Sequence, residues 1–190
     1  MNAVSKNLTV FFIFIIMFAV QNSVQGFFLQ HFDAQSQTNL FLPFLVYLPH
    51  GIRIISLITY GNIIIPGLLL AQLATVVLRM ESMDVFLNYK FNYIADLGSP
   101  IVSIFAVWLA IFLIAKKIKI SEEQITIPLI LKITFLSALF NAIFLNVFRF
   151  VFQESYQNLD SNIILYFIGD SIGALILFSF FAMINRSFKD

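Results

Sequence analysis

Five ionisable side chains lie inside the apolar stretches of this chain, and they are its candidates for chemistry. They are His50, Arg53, Lys132, Arg149 and Asp170. A charge at bilayer depth is destabilising, so such residues normally face the interior of a helix bundle and find partners there. Lys132 is close enough to the end of its predicted helix to reach the interface. Asp170 is the only acid well inside an apolar segment, and Arg53 and Arg149 compete for it.

Helical spacing predicts that three helices turn polar faces toward a common interior. One stripe consists of His50, Arg53, Ser56 and Tyr60, at i, i+3, i+6 and i+10. At about 1.5 Å of rise per residue, Arg53 and Asp170 differ in depth by about 6 Å, which an arginine side chain can cover. The predicted ligand-binding residues from the three helices are His50, Arg53, Asn141, Arg149, Tyr166 and Asp170.

Two interpretations of this polar group stay open. In the first, Arg53 and Asp170 form a buried ion pair that fixes the register of the helices. In the second, the group lines a pocket that opens outward. Two arginines and a histidine against one aspartate leave an excess of positive charge. Such a pocket would suit a small anionic or zwitterionic ligand.

Several kinds of chemistry have no support in the sequence. There is no H-E-x-x-H motif, no Gly-rich phosphate loop and no G-x-S-x-G elbow. Cysteine is absent, and His31, the only histidine besides His50, has no metal-ligand spacing. We therefore expect no enzyme activity, no metal and no cofactor. The net charge of +1 gives no indication of a nucleic-acid partner.

Composition predicts what surrounds these residues. The 190 residues are 60% hydrophobic and 11% charged, whereas soluble domains are about 25% charged. Mean hydropathy is +0.93. The sequence therefore predicts a single all-α transmembrane domain over residues 1–190, in contact with membrane lipids.

Segments of about 20 apolar residues can cross a bilayer, and six are predicted. They cover residues 8–29, 41–60, 63–79, 98–115, 126–152 and 162–185. The segment 41–60 is interrupted by Pro43 and Pro49, and the alternative is that it does not cross. Reading Lys6 and the following apolar run as a cleaved signal peptide is a second alternative, although a small-x-small cleavage site is missing.

Basic residues predict the orientation. With six spans, one side of the membrane holds Lys6, Lys116, Lys117, Lys119, Arg186 and Lys189, and the other holds Arg79 and Lys90. We expect the richer side, with both termini, to be cytoplasmic in a bacterial inner membrane. On the last helix Gly169 and Gly173 form a G-x-x-x-G spacing, which predicts close helix packing together with Gly51.

Two stretches resemble the MASE-type membrane-associated sensor domains of bacteria. Residues 47–73, YLPHGIRIISLITYGNIIIPGLLLAQL, are similar through Pro49, Gly51, Gly61 and Pro66, and residues 166–181, YFIGDSIGALILFSFF, through Gly169, Asp170 and Gly173. The resemblance implies a multi-pass sensory or ligand-binding module. Because the sequence contains no output domain, its signal is expected to pass to a separate partner protein. The family usually has about eight spans, more than are predicted here.

A second resemblance is to the substrate-binding S components of energy-coupling-factor vitamin transporters. These also have about 190 residues and six helices with both ends inside, but no local motif carries the match. It implies a subunit for uptake of a small molecule. A structural or assembly subunit of a larger membrane complex is the third expectation.

Overall fold

The computed structural model describes residues 1–32, 46–78, 93–117, 126–152 and 158–187. All regular structure in these ranges is helical, which confirms the predicted all-α class. The helices are α1 (Ala3–Phe32), α2 (Leu48–Tyr60), α3 (Ile65–Leu78), α4 (Tyr93–Lys117), α5 (Ile127–Phe152) and α6 (Leu159–Ser187), and a short 3₁₀ helix, Gly61–Ile64, links α2 to α3. The first part of the predicted span 41–60, with Pro43, lies outside the described residues.

Five helical runs in the described ranges are long and apolar enough to cross a membrane, which indicates a multi-pass membrane protein. They are Ala3–Val24, Leu48–Val76, Ile94–Ile114, Ile127–Phe152 and Leu159–Met183. The predicted count of six spans is not confirmed, because α2, the 3₁₀ helix and α3 together fall within one of these five runs, Leu48–Val76. The predicted proline interruption is not confirmed either, since Pro49 lies in the first turn of α2. Proline is tolerated there because the first N–H groups of a helix have no partner within the helix.

The junction between α2 and α3 is a sharp change of backbone direction. Gly61 ends α2 with φ +66° and ψ −154°, a conformation that glycine adopts without the steric penalty of a Cβ. Asn7 of α1 holds the turn that follows. Its amide donates to the carbonyl of Ile63 at 2.9 Å, and its side-chain oxygen accepts from the N–H of Gly67 at 2.7 Å.

Contacts between helices give their relative directions. Gln21 and Asn7 of α1 meet Leu48 and Ile63 respectively, so α1 and α2 are antiparallel. Tyr47, at the start of α2, meets Gly173, and residues further along α2 meet later residues of α6. Therefore α2 and α6 are parallel. The first residues of α1 and the last residues of α6 thus lie at the same end of the bundle, which we call the terminal end.

The remaining helices complete this arrangement. Asn141 and Arg149 of α5 contact Asp170 and Tyr166 of α6, so α5 and α6 are antiparallel. Gly98 of α4 packs against the Phe148 ring of α5, and Phe105 stacks on Phe144. Hence α4 is antiparallel to α5 and begins at the distal end, opposite the terminal end.

An apolar core joins α1, α2, α3, α4, α5 and α6. Its fully buried members include Phe14, Ile54, Leu68 and Val107. One face of α5 is different, because it consists of small and polar side chains. The buried residues of that face are Thr134, Ser137, Ala138, Asn141, Ala142 and Asn146. Small side chains let neighbouring helices approach closely, and on this face Ser137 reaches His50 of α2 and Asn141 reaches Asp170 of α6.

Candidate functional site

Four of the six predicted ligand-binding residues meet in the interior of the bundle. His50 and Arg53 come from α2, Asn141 from α5 and Asp170 from α6. Their exposed fractions are 0%, 2%, 1% and 1% respectively. We call these four residues the polar cluster. Since charged residues are almost never fully buried unless they are paired, the contacts of each group decide what the cluster can do.

Both ring nitrogens of His50 have polar neighbours, one on α5 and one on α2 itself. Nε2 lies 3.1 Å from the hydroxyl oxygen of Ser137. That hydroxyl donates to the carbonyl of Thr134 at 3.0 Å, so it accepts a hydrogen bond from His50 Nε2–H. In the neutral ring Nδ1 is then an acceptor, and the Nη1 of Arg53 lies 3.4 Å from it. The result is a hydrogen-bonded chain from Arg53 through His50 and Ser137 to the backbone of α5.

The Asp170 carboxylate is held by groups other than the one predicted. Asn141 Nδ2 donates to Oδ2 at 2.5 Å, and His50 Nδ1 lies 3.5 Å from the same oxygen. No direct Arg53–Asp170 ion pair occurs among the described residues. Arg53 contacts the imidazole of His50, and that imidazole lies next to the carboxylate of Asp170. His50 is one helical turn nearer the start of α2 than Arg53, so it lies between the two charged groups. The predicted direct pair is therefore replaced by a three-residue arrangement with His50 in the middle.

Arg53 has further contacts and one atom without any. Its guanidinium carbon lies 5.2 Å from the centre of the Tyr47 ring, within the range of a cation–π interaction. Its Nε is buried and has no hydrogen-bond partner among the described residues, and the same is true of Asn141 Oδ1. A buried polar atom without a partner is destabilising by about 1–3 kcal/mol. The polar cluster thus retains one donor and one acceptor that the fold does not use.

Arg149 and Tyr166, the other two predicted residues, form a separate pair toward the distal end. Arg149 Nη1 donates to the hydroxyl of Tyr166, and its guanidinium carbon lies 5.5 Å from the centre of that ring. Both side chains are half-buried. Tyr166 is one helical turn before Asp170 on α6, so the pair and the polar cluster lie on the same helix face. The structure brings Arg149 to Tyr166 and not to Asp170, for which it was a predicted competitor.

The glycines predicted to pack helices lie where α2 meets α6. A Cβ on Gly173 would overlap the backbone of Tyr47, and a Cβ on Gly51 would lie 2.8 Å from Leu177 Cδ2 and 3.0 Å from Ala174 Cα. The carbonyl of Gly169 accepts a hydrogen bond from the N–H of Tyr47 at 2.9 Å. These close approaches set the distance between the two helices that carry His50 and Asp170.

The start of α2 lies deep in the bundle, where its backbone needs partners. Tyr47, just before α2, bonds to Gly169 of α6, so Gly169 marks the depth at which α2 begins. Gly169 is ten residues after Leu159, the first residue of α6, which corresponds to about 15 Å along the helix. In a bilayer every backbone polar group at such depth has to be satisfied within the protein. Gln21 of α1 does this, since its side-chain oxygen accepts from the N–H of Leu48 at 3.0 Å.

Replacing Gln21 with leucine should therefore destabilise the protein, although it makes the sequence more apolar. The substitution leaves the N–H of Leu48 buried without a partner, which corresponds to a loss of about 1–3 kcal/mol. The measurement is the thermal unfolding midpoint in detergent. Asn22→Leu is the matched control, because Asn22 is exposed on the same helix. Equal midpoints for the two variants would show that the Gln21 contact contributes nothing.

Three residues of the site were outside the predicted set. Ser137 shares a helix face with Asn141, and this i, i+4 spacing is a signal that could have included it. Tyr47 and Gln21 carry no such signal, because their roles depend on where α2 begins and on the packing of α1. Within the described ranges, no three His, Asp or Glu residues are grouped so that they could hold a metal ion.

No protein-family model, no curated protein and no solved structure matches this chain.

Proposed function

We propose that this protein is a ligand-binding membrane module of sensory type, and that the polar cluster is its binding site. The observation that carries the proposal is the convergence of His50, Arg53, Asn141 and Asp170 from three helices at one buried point. Ionisable groups inside transmembrane segments are rare and usually functional. A ligand that binds among three helices changes the contacts between them. The change is then passed to a partner protein in the membrane or the cytoplasm.

The unused hydrogen-bonding groups support a ligand with both an acceptor and a donor. Arg53 Nε offers a buried N–H, and Asn141 Oδ1 offers a buried acceptor. Arg53 also lacks a direct carboxylate partner among the described residues, so its charge is available to an anionic group. A small carboxylate or a zwitterion such as an amino acid has this chemistry. The half-buried pair of Arg149 and Tyr166 lies on the distal side of the site and would border the ligand's approach.

Thermal unfolding of the purified protein tests the proposal directly. The probes are acetate, succinate, glycine and glutamate at constant ionic strength, with chloride as the reference anion. A ligand present at 100 times its Kd stabilises the folded state by about 2.7 kcal/mol. We expect at least one probe to raise the midpoint of the wild type and not that of Arg53→Gln. Lys132→Gln is the matched control, because it removes a positive charge from an exposed position on α5.

Native mass spectrometry adds a second readout to this experiment. A small molecule that remains bound through purification would appear as a defined mass increment on the wild-type chain. The increment should be lost in Arg53→Gln and kept in Lys132→Gln. If no probe shifts the midpoint and no bound mass is found, the polar cluster has only a structural role and the proposal is wrong.

We also infer six membrane crossings, with the terminal end of the bundle, and therefore both chain termini, on the cytoplasmic side of a bacterial inner membrane. Three observations support this topology. The first residues of α1 and the last of α6 lie at the terminal end, as an even number of crossings would place them. The chain leaves α2 at the terminal end, yet α4 begins at the distal end. Gly61 breaks the helix with a positive φ at the point where the chain would reverse.

Cysteine labelling distinguishes six crossings from five, and the native chain contains no cysteine that would interfere. Single substitutions Asn2→Cys, Lys117→Cys and Ser187→Cys should all be inaccessible to a membrane-impermeant maleimide in intact cells. Asn158→Cys should be labelled. With five crossings Asn2 and Ser187 would lie on opposite sides, so labelling of one and not the other would overturn the topology. Labelling of Lys117→Cys in intact cells would reverse the proposed orientation.

A substrate-binding subunit of a small-molecule uptake transporter is the second candidate function. The observation that favours it is the support for six crossings, because the S components resembled here have six helices. An uptake subunit needs an energy-coupling partner, whereas a sensor needs a regulator or an output enzyme. Affinity purification from native membranes separates the two. Recovery of an ATPase with a coupling protein would favour transport, and recovery of a structural complex would favour the role of an assembly subunit.

A further inference from the structure

We infer that the polar cluster contains a proton-binding site between Nδ1 of His50 and Oδ2 of Asp170. The two atoms lie 3.5 Å apart. With Nε2–H directed at Ser137, the neutral ring presents Nδ1 as an acceptor, and an ionised carboxylate has only acceptors. Two acceptors therefore face each other in the bundle interior with no hydrogen between them. A proton at this position converts an unfavourable contact into a charge-assisted hydrogen bond.

The contacts of Nδ1 indicate what proton binding changes. Without the proton, Nδ1 accepts from Arg53 Nη1, at the long distance of 3.4 Å. With the proton, Nδ1 can no longer accept from Arg53, and His50 bonds to Asp170 instead. Whether the imidazole or the carboxylate holds the proton, the same two atoms are joined. The Nδ1 lone pair is engaged in both cases, so the Nδ1 resonance changes in both. Proton binding thus exchanges a contact within α2 for a contact between α2 and α6.

The surroundings of His50 restrict which groups can compete for the proton. Asp170 is the titratable group that contacts His50 from α6, and α5 contributes Ser137 and Asn141, neither of which titrates in the physiological range. On α2 itself the charged neighbour is Arg53, whose guanidinium offers only hydrogen-bond donors. The site therefore depends on one imidazole and one carboxylate.

The other helices packed against α2 bring their ionisable groups to its ends. The described part of α1 carries Lys6, whose ammonium lies 5.4 Å from the centre of the Tyr60 ring at the terminal end. The described part of α4 carries Asp96 in its first turn, at the distal end, and Lys116 and Lys117 in its last turn, at the terminal end. Tyr47 covers the guanidinium of Arg53 on the side of the α2 N-terminus. Proton binding at the cluster can therefore be measured in the protein without an organic ligand.

Nitrogen-15 NMR of the histidine ring tests the inference, because the two ring nitrogens report separately on their protons. His31→Gln leaves His50 as the single histidine of the chain. In this background we expect one protonated and one unprotonated nitrogen at high pH, with Nε2 protonated. On acidification the Nδ1 resonance should move toward the protonated position, and His31→Gln/Asp170→Asn should lack this step at the same pH.

Two results would overturn the proton site. One is a ring whose Nδ1 resonance stays constant over the whole pH range in which the protein is folded. The other is an identical titration with and without the Asp170 carboxylate. If Asp170→Asn does not fold, Asp170→Glu provides the comparison, because it keeps the carboxylate and changes its distance from Nδ1. If the pH midpoint of the Nδ1 titration is unchanged in Asp170→Glu, Asp170 is not part of the proton site. Binding of the organic probes is measured in a separate experiment. The ligand-binding proposal and the proton-site inference can therefore fail independently of each other.

Discussion

Replacing Gly173 with alanine is expected to destabilise the protein strongly, even though alanine favours helix. In a helix interior alanine is better than glycine by about 1 kcal/mol, so the substitution would be stabilising if the position were free. A Cβ at Gly173, however, overlaps the carbonyl group and nitrogen of the Tyr47 backbone. Backbone atoms cannot rotate away as a side chain can. The start of α2 would have to move, and overpacking of this kind is destabilising by about 1–3 kcal/mol or more.

The sign of the change in the thermal unfolding midpoint therefore decides whether this contact exists. Ile172→Leu is the matched control, because Ile172 is adjacent on α6 and 38% exposed. Gly51→Ala should have a smaller effect, since the nearest atom there is the end of the flexible Leu177 side chain. A higher midpoint for Gly173→Ala would show that α2 does not approach α6 this closely. The G-x-x-x-G spacing would then be a coincidence of sequence.

The helical class and the polar cluster of this protein could be predicted from its sequence. Helix periodicity and apolar content are local properties, so the helical class and most of the helices could be predicted. The convergence of His50, Arg53, Asn141 and Asp170 could be predicted as well. Burying each of these polar groups alone would be destabilising. When the four groups share one interior position they can be hydrogen-bond and charge partners of each other, which reduces this cost. Depth along a helix follows from residue counting, so α2 and α6 could be predicted to contribute polar groups to one interior position.

The details that could not be predicted depend on three-dimensional register. Counting residues cannot show whether Arg53 reaches Asp170 directly or through His50, because a difference of a few ångströms in helix rotation decides it. The role of Gln21 depends on α1 passing the first residue of α2, which no local pattern encodes. The boundary between α2 and α3 is difficult to predict for a different reason. Gly61 ends α2 within a continuous apolar sequence, and the composition does not change there.

Removing both charges of the polar cluster should be less harmful than removing either one. Asp170→Leu leaves the guanidinium of Arg53, which is 2% exposed, without the carboxylate that balances its charge across His50. Arg53→Leu leaves the Asp170 carboxylate with Asn141 and a neutral imidazole. Loss of one partner of a direct buried ion pair is destabilising by about 3–5 kcal/mol, because the other charge stays buried. The indirect arrangement across His50 should lose less than this. In the double variant neither charge is left behind, so part of this loss should be recovered.

The double-mutant cycle measures this recovery as a coupling free energy, obtained from the stabilities of the wild type, both single variants and the double variant. Groups in one network couple by about 0.5–3 kcal/mol, whereas groups with no shared partner add independently. Arg149→Leu combined with Asp170→Leu is the control cycle, since Arg149 donates to Tyr166 and not to the acid. We expect coupling in the Arg53 cycle and additivity in the Arg149 cycle. The reverse result would assign Asp170 to Arg149, and the link from Arg53 through His50 would be wrong.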